Sequence, residues 1–201
     1  MPEVSAVVFD VGRVIVQWDM RCLLRKVVPA DQVEWVFRNV VTEEWHFRHD
    51  AGEELETLVA ERKAEFPEHG AAIDAYATRF NETVPGLIAG TPELIDRLAD
   101  KGVPLFAITN FAAPFWAAYR PTVPVFRHFI DVVVSGVEKI AKPDPAIYHL
   151  AEQRFGHPAE RMLFIDDNPA NIEAARALGW QVHLFTDAGA LEADLTERGL
   201  I

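Results

Sequence analysis

Residues 7–15 read Val7-Val8-Phe9-Asp10-Val11-Gly12-Arg13-Val14-Ile15, and this stretch decides the fold. The apolar run before Asp10 begins at Val4 and is interrupted only by Ser5. Such a run is typical of a strand that is buried on both faces. A carboxylate that follows a strand of this kind lies at the carboxyl edge of a parallel sheet, where ligands bind. Asp10 is therefore the first candidate for chemistry.

Four further apolar runs follow the same pattern. They span residues 104–108, 130–134, 162–165 and 182–185, and helical patterns lie between them. Strand, helix and strand in repetition predict an α/β fold, a Rossmann-like parallel sheet with helices on both faces. The functional site of such a sheet is expected beyond the carboxyl ends of the strands, where the strand order reverses.

Three helix starts carry capping signals. Thr91, Asp144 and Asn168 each precede a proline, and Gly179 follows the last of these helical patterns. Side chains of these types accept hydrogen bonds from the first-turn amides, and proline is favoured at the first helical position. We therefore expect helices that are capped by Thr91, Asp144 and Asn168.

Residues 19–88 interrupt the alternation of strands and helices. Apolar side chains recur there at helical spacing around residues 33–41, 55–59 and 73–80, and no strand-like run stands out among them. This pattern predicts a helical cap domain over 19–88, inserted into an α/β core domain formed by 1–18 and 89–201.

The composition excludes several classes of function. The chain has 201 residues and a formal net charge of −12, which disfavours a nucleic-acid surface because such a surface needs a basic field. No apolar stretch approaches the ~20 residues that span a bilayer. No signal peptide is visible, and Cys22 is the single cysteine. The sequence predicts a cytoplasmic protein that binds neither nucleic acid nor membrane, as a monomer or a homodimer.

Three later segments carry the groups that phosphoryl chemistry needs beside Asp10. They are Thr109-Asn110 after the second strand, Lys142-Pro143 before a helix, and Asp166-Asp167-Asn168 after the fourth strand. A carboxylate can attack a phosphate ester, but both groups are anionic, so a cation must offset their repulsion. Lys142 offers a point charge, and Thr109-Asn110 offers donors for substrate phosphate oxygens.

A magnesium ion fits the same set of residues. Mg²⁺ prefers one or two carboxylates together with phosphate oxygens and waters. Asp10, Asp166 and Asp167 supply carboxylates, and Gly12 supplies a backbone carbonyl. Any one of these segments alone is more often a turn or a helix cap. All four in this order, beside strand ends and helix starts, favour an active site.

Together the four segments resemble the motifs of the haloacid dehalogenase-like (HAD) hydrolases, over nearly the whole chain. This resemblance implies that Asp10 is a nucleophile that forms a phosphoaspartyl intermediate. It also implies that Mg²⁺ is held by Asp10, the carbonyl of Gly12 and the acid at Asp167. The start of the chain and the His49-Asp50-x-Gly52-Glu53 segment are similar to a branch with small helical caps, which includes bacterial α-D-glucose-1-phosphate phosphatases.

Gly12 is the departure from the motif. HAD phosphatases usually have there a second aspartate, which protonates the leaving oxygen and then activates water. General acid–base help is worth about 10²–10⁴ in rate, and its loss matters least when the leaving group is good. The sequence therefore predicts a Mg²⁺-dependent phosphatase for small phosphate monoesters, with sugar 1-phosphates as natural substrates.

Two alternatives also accommodate Gly12. A 2-haloacid dehalogenase releases halide without a proton, and Arg13 would hold its carboxylate substrate, but Asp166 and Asp167 would repel that substrate. The other alternative is a non-catalytic protein that binds a phosphometabolite. The retained Asp10 and Lys142 argue against it, so the phosphatase is favoured.

Five further residues have open roles. His46 and His49 are either a replacement for the missing acid or, as favoured on general grounds, solvated or structural histidines of a cap turn. Arg13 either faces the substrate or makes a surface ion pair. Trp18 and Trp116 either line a sugar-sized pocket or pack in the core.

Overall fold

The computed structural model of the protein describes residues 2–201 and contains one five-stranded parallel sheet. The strands are β1 (Ala6–Phe9), β2 (Leu105–Thr109), β3 (Asp131–Val134), β4 (Met162–Asp166) and β5 (Gln181–Leu184). Their spatial order is β3-β2-β1-β4-β5, and every neighbouring pair is parallel. The predicted α/β fold class, with a parallel sheet at the five apolar runs, is confirmed.

Helices supply the rest of the regular structure in residues 2–201. The α-helices are α1 (Arg21–Leu24), α2 (Val33–Asn39), α3 (Glu43–Asp50), α4 (Leu55–Glu65), α5 (Gly70–Arg79), α6 (Thr91–Asp100), α7 (Ala113–Tyr119), α8 (Ser135–Glu138), α9 (Pro145–Phe155), α10 (Pro169–Ala177) and α11 (Ala188–Glu197). Short 3₁₀ helices lie at Pro67–His69, Phe80–Thr83, Arg120–Thr122, Pro124–His128 and Ala159–Arg161. None of the helices between residues 2 and 201 has the length and apolar character of a membrane span.

Successive residues of β1 pack into two different hydrophobic cores, one on each face of the sheet. Val7 and Phe9 belong to the larger core, and Ala6 and Val8 belong to the smaller one. All four side chains are fully buried. Both faces of the sheet are thus covered, which is why the three central strands β1, β2 and β4 are apolar up to their last residue instead of alternating.

The strand order reverses beside β1, and this reversal brings the polar segments together. From β1 the chain runs to β2 and β3 on one side of the sheet and then crosses to β4 and β5 on the other. Asp10 follows β1 directly, while Thr109 and Asp166 are the last residues of β2 and β4. Because the strands are parallel, these residues meet at one edge, as predicted for this type of sheet.

The segment between β1 and α6 contains helices, and isolated β-bridges are its only strand-like pairing in the described chain. The chain enters and leaves this segment through two stretches that are hydrogen-bonded to each other. The Gln17 amide donates to the Gly86 carbonyl (2.8 Å), and the Ile88 amide donates to the Ile15 carbonyl (2.9 Å). These bonds fix the helical segment to the end of β1, beside the carboxyl edge of the sheet.

Residues 43–50 form the helix α3, so their interpretation as a cap turn was wrong. The hydroxyl of Thr42 caps this helix by accepting a hydrogen bond from the Trp45 amide (3.0 Å), and two glutamates occupy its first turn. His46 and His49 are both buried, so the solvated reading of these histidines was also wrong.

Two of the three predicted caps are confirmed. Asp144 accepts a hydrogen bond from the Ala146 amide, and Asn168 accepts one from the Ala170 amide, each at 2.9 Å. The cap at Thr91 was wrong, because α6 begins at Thr91 itself and the Thr91 hydroxyl is buried without a partner.

We predict that Asp144→Ala lowers the free energy of unfolding by about 1 kcal/mol, because an amide in the first turn of α9 loses its acceptor. Asp144→Ser keeps an acceptor and should recover most of this loss. Urea unfolding measures both variants, with an unchanged dependence on urea concentration as the sign that only stability has changed. Equal losses in the two variants would contradict the capping role.

Candidate active site

Lys142 is the centre of the site and is buried, with 2% of its surface exposed. Its ammonium contacts the carboxylate Oδ1 of Asp10 (2.7 Å), the carboxylate Oδ2 of Asp166 (2.7 Å) and the carbonyl of Ile108 (2.9 Å). An ammonium group has three N–H donors, so each donor has an acceptor. One side chain thereby joins the ends of β1, β2 and β4.

Asn110 holds the backbone of Lys142. The Lys142 amide donates to Asn110 Oδ1, and Asn110 Nδ2 donates to the Lys142 carbonyl, both at 2.9 Å. Thr109 lies at the end of β2, where it is 1% exposed and does not line the cavity described below. The phosphate contacts expected of Thr109 and Asn110 stay predictions, and the side-chain bonds seen for Asn110 position the lysine.

Asp166 is fully buried and surrounded by donors. Besides Lys142, it accepts hydrogen bonds from the Asn168 amide (2.8 Å) and from Asn171 Nδ2 (3.0 and 3.1 Å to its two oxygens). Asn171 was missed in the sequence analysis. The available signal was its spacing: three residues after Asn168, it lies on the same face of the helix start.

The carboxylates of Asp10, Asp166 and Asp167 form one cluster, in which one oxygen from each lies within 4.8 Å of the others. Three carboxylates face the single charge of Lys142, so the cluster carries excess negative charge. Oxygen ligands of this kind fit Mg²⁺. Asp10 and Asp167 are the better placed of the three, because both oxygens of Asp166 already accept hydrogen bonds.

The burial of this cluster shifts its pKa values. Burial is the largest influence on Asp10 and raises its pKa to about 7; Lys142 opposes this shift, and the charges of Asp166 and Asp167 add to it. Burial also raises the pKa of Asp167, with Asp166 adding to the effect. Burial acts to lower the pKa of Lys142, but the two adjoining carboxylates outweigh it and raise this pKa, so the lysine stays charged.

Gly12 lines the cavity and has room for a side chain. A Cβ atom built at this position has no heavy atom within 4 Å beyond its chain neighbours, and its φ is not in the left-handed region. Neither packing nor backbone conformation therefore requires glycine here. The missing second aspartate is a chemical difference and not a consequence of the fold.

A cavity of about 300 Å³ lies over the cluster. The sheet edge contributes Asp10, Gly12, Lys142 and Asp167 to its lining. Trp18, just before the helical segment, and Glu43, His46, Phe47, Asp50 and Phe80 of that segment line the other side. The space is thus charged where the strands end and largely aromatic on the side of the helical segment.

Arg13 makes a surface ion pair with Glu43, as one of its two interpretations predicted. It also lines the cavity, and its contact with a substrate stays a prediction. Its guanidinium lies 4.8 Å from the centre of the Trp18 ring, which itself lines the cavity. Trp116 packs in the core against Phe126 and does not reach the cavity. Of the two tryptophans singled out from the sequence, only Trp18 is placed to meet a ligand.

His46 lines the cavity with both ring nitrogens engaged. Its Nε2 lies 3.0 Å from Oδ2 of Asp50, and its Nδ1 lies 2.7 Å from the hydroxyl of Tyr76. His49 is bonded through Nδ1 to the carbonyl of Glu53 (2.8 Å) and does not line the cavity. Asp50 was missed as a site residue, because only the turn of α3 brings it beside His46.

Comparison with known proteins gives a family match. A family model for haloacid dehalogenase-like hydrolases matches residues 4–179. Among curated proteins, the chain is 30% identical over 107 residues to a phosphoglycolate phosphatase of Pectobacterium atrosepticum, which covers 53% of this chain and 45% of the relative. The chain thus spans less than half the length of that relative.

Solved structures match over almost the whole chain. A predicted HAD-like family hydrolase from Porphyromonas gingivalis has a TM-score of 0.72 and 22% identity, covering 98% of both chains. A HAD family enzyme from Bacteroides thetaiotaomicron, in complex with magnesium and inorganic phosphate, has a TM-score of 0.68 and 19% identity, covering 92% of this chain and 95% of the other. At these identities the matches establish the fold.

We predict that Asp10→Asn raises the free energy of unfolding, relative to the wild type, by an amount that grows as the pH rises from about 4 to about 7 in metal-free buffer. A carboxyl whose folded-state pKa lies above its ordinary value of 3.8 binds its proton more tightly in the folded state. Its contribution therefore favours folding at low pH and is lost as the pH rises through this window. Urea unfolding of both proteins with EDTA, at pH 5 and 7.5, should show the difference in free energy growing by about 1 kcal/mol or more.

Asp100→Asn is the matched control, because Asp100 is exposed and lies outside the cluster. The difference in free energy of unfolding between Asp100→Asn and the wild type should change little between the two pH values. A pH-independent difference for Asp10→Asn would contradict the burial of an unfavourable charge at this position.

Proposed function

Because this chain belongs to the haloacid dehalogenase-like hydrolases, we propose that it is a Mg²⁺-dependent phosphatase that hydrolyses a small phosphate monoester, including sugar phosphates. The reaction proceeds through a phosphoaspartyl intermediate on Asp10. One observation carries the proposal: Asp10 is held by the buried Lys142 within an acidic cluster at the floor of a ligand-sized cavity. The phosphatase identity of the curated relative supports the same reaction.

Asp10 provides the nucleophile in this proposal. Lys142 contacts its Oδ1 and so holds the carboxylate in one orientation, leaving Oδ2 for phosphorus. A bond from Asp10 to phosphorus forms as the ester P–O bond breaks, and the leaving oxygen takes a proton from water. Water then cleaves the acyl phosphate, which releases phosphate and restores the carboxylate. The charge of Lys142 offsets part of the negative charge that nucleophile and phosphate bring together.

The metal site of the proposal consists of Asp10, the carbonyl of Gly12, and Asp167, with Asp166 as a further acid of the cluster. When bound, Mg²⁺ supplies positive charge that neutralises phosphate oxygens and reduces their repulsion by Asp10. The excess of carboxylates over lysine and the raised pKa of Asp10 both indicate a place for such a cation. Thr109 and Asn110 remain proposed donors to phosphate, through backbone amides or a rearranged side chain.

We further propose that residues 19–88 act as the cap of the site. Their helices contribute one wall of the cavity, and their connections pair with each other beside β1. The hydroxyl of Ser135, at the start of α8, donates to the carbonyl of Asp50 (2.5 Å) and ties the end of α3 to the core. A wall of this kind excludes bulk water and meets the leaving group.

We predict that the protein hydrolyses p-nitrophenyl phosphate with Mg²⁺ and loses this activity in EDTA. Asp10→Asn should lose essentially all turnover, because the amide neither attacks phosphorus nor adds charge to the metal site. Phosphate release, measured with and without restored Mg²⁺, checks both statements. Asp100→Asn, a substitution of an exposed acid, should retain wild-type activity.

Halide release from a 2-haloacid that survives EDTA would favour a dehalogenase instead. Bound phosphate without turnover of any ester would favour a non-catalytic binding protein. The acidic cluster disfavours the first outcome, because it repels a carboxylate substrate. Its two metal-accessible carboxylates next to a charged lysine disfavour the second.

We predict that Gly12→Asp raises the hydrolysis of esters with poor leaving groups by about 10²-fold. The new carboxyl has space in the cavity and provides the proton donor that the chain lacks. Aryl esters, whose leaving groups need little protonation, should change much less. The ratio of kcat/KM for an alkyl and an aryl phosphate measures the effect. Gly12→Asn has the same shape without the acid, and an equal gain in that variant would contradict the interpretation.

A further inference from the structure

Two residues that line the cavity, one in α3 and one just before the helical segment, each have a buried polar atom without a hydrogen-bond partner. These atoms are Oδ1 of Asp50 and Nε1 of Trp18. Asp50 is 4% exposed. Buried polar atoms are normally paired, so an acceptor and a donor left unpaired beside a cavity point to a ligand that pairs with them.

A chain of hydrogen bonds fixes which oxygen of Asp50 stays free. Burial and the nearby Asp50 charge raise the pKa of Tyr76 well above its ordinary value, so its hydroxyl keeps its proton. That hydroxyl lies 2.7 Å from Nδ1 of His46, and Nε2 of His46 lies 3.0 Å from Oδ2 of Asp50. In the tautomer that carries its proton on Nε2, His46 accepts from Tyr76 and donates to Asp50. The bond from Ser135 to the Asp50 carbonyl holds the backbone in place. Oδ1 is therefore the oxygen of Asp50 that is left buried and unpaired, in a residue that lines the cavity.

We infer that Asp50 is a specificity-determining residue. Its Oδ1 accepts a hydrogen bond from a hydroxyl group on the leaving alcohol of the substrate, and Nε1 of Trp18 donates to the same or a neighbouring hydroxyl. His46 and Tyr76 are positioning residues that orient the carboxylate. This inference rests on the proposed phosphatase function and adds the part of the substrate that the phosphate site does not contact.

The charges around the cavity indicate which class of leaving group it accepts. Lys142 is engaged by two carboxylates, and Arg13 is paired with Glu43. Both positive side chains of the described lining are thus already paired with carboxylates, and Asp50 repels a carboxylate on the leaving group. The cavity favours the phosphate ester of an uncharged, hydroxyl-bearing alcohol over an ester such as phosphoglycolate.

Asp50→Asn provides the first test. The amide keeps an oxygen for His46 and turns a donor toward the cavity in place of the acceptor. The value of kcat/KM for a hexose 1-phosphate should fall about 10- to 100-fold, the usual range for losing a hydrogen bond to a charged group. The value for p-nitrophenyl phosphate, which has no hydroxyl, should change less than about 3-fold. Glu44→Gln, on the exposed face of α3, is the matched control and should change neither value.

The wild-type protein provides a second test that does not depend on folding of a variant. Hexose 1-phosphates that lack one hydroxyl at a time should include one analogue with a loss of about 10- to 100-fold. Asp50→Asn should add little further loss for that analogue, because the two changes remove the same contact.

Four outcomes overturn the inference. They are an equal loss on both substrates in Asp50→Asn, no loss on either, no sensitive hydroxyl in the wild type, and a wild-type preference for phosphoglycolate over every hexose 1-phosphate. Failure of the wild type to hydrolyse even p-nitrophenyl phosphate with Mg²⁺ is a different result. It removes the proposed phosphatase function, and this inference falls with it.

Discussion

The site depends on one buried ammonium group. Lys142 lies where three strands end, and its three donors contact Asp10, Asp166 and the carbonyl of Ile108. Moving such a charge out of water is costly, and only close contact with opposite charge and full hydrogen bonding offset that cost. Removing either carboxylate alters the balance of the others. Asp10, Lys142 and Asp166 at the end of β4 therefore form one electrostatic unit.

Hydrogen bonds from neighbouring amide side chains fix the position of this unit. Asn110 grips the backbone of Lys142 through two hydrogen bonds, and Asn171 binds both oxygens of Asp166. These amides contact charged groups but add no charge themselves. Lys142 and Asp166 are thus kept in place without any change in the net charge of the site. Pre-organisation of this kind lets charge stabilise a transition state without rearrangement during the reaction.

The sequence predicted the sheet and its active edge because both depend on local patterns. Continuous apolar runs identify strands that are covered on two faces, and the parallel arrangement then places Asp10, Thr109 and Asp166 at one edge. Cap residues of the Asp144 and Asn168 type act within one turn of helix, so they too can be recognised. The motifs also predicted membership of the haloacid dehalogenase-like hydrolases, which the family match confirms.

What the sequence left open depends on contacts between distant segments. Asn110 has the side chain of a phosphate ligand, yet its partner is the backbone of Lys142, 32 residues away. The role of Asp50 depends on Tyr76 and His46 meeting from different helices. Helix α3 itself was missed because its buried face consists of aromatic and polar side chains, which lack the aliphatic periodicity of an amphipathic helix.

The two sides of the cavity differ in how completely their polar groups are paired. We interpret the fully paired side as the place of the reaction and the other side as the place where the substrate is selected. At the sheet edge, the ammonium of Lys142 and the carboxylate of Asp166 are fully engaged, which suits a phosphate group common to many substrates. On the side of the helical segment, Asp50 keeps an unpaired oxygen. Gly12 also lines the cavity and carries no acidic side chain, so in the proposed reaction it gives no proton to the leaving group. Under the proposed function, a chain with this arrangement gains most from an alcohol that leaves easily and is recognised by its hydroxyls. The absence of an acid at residue 12 and the unpaired oxygen of Asp50 would then favour the same kind of ester.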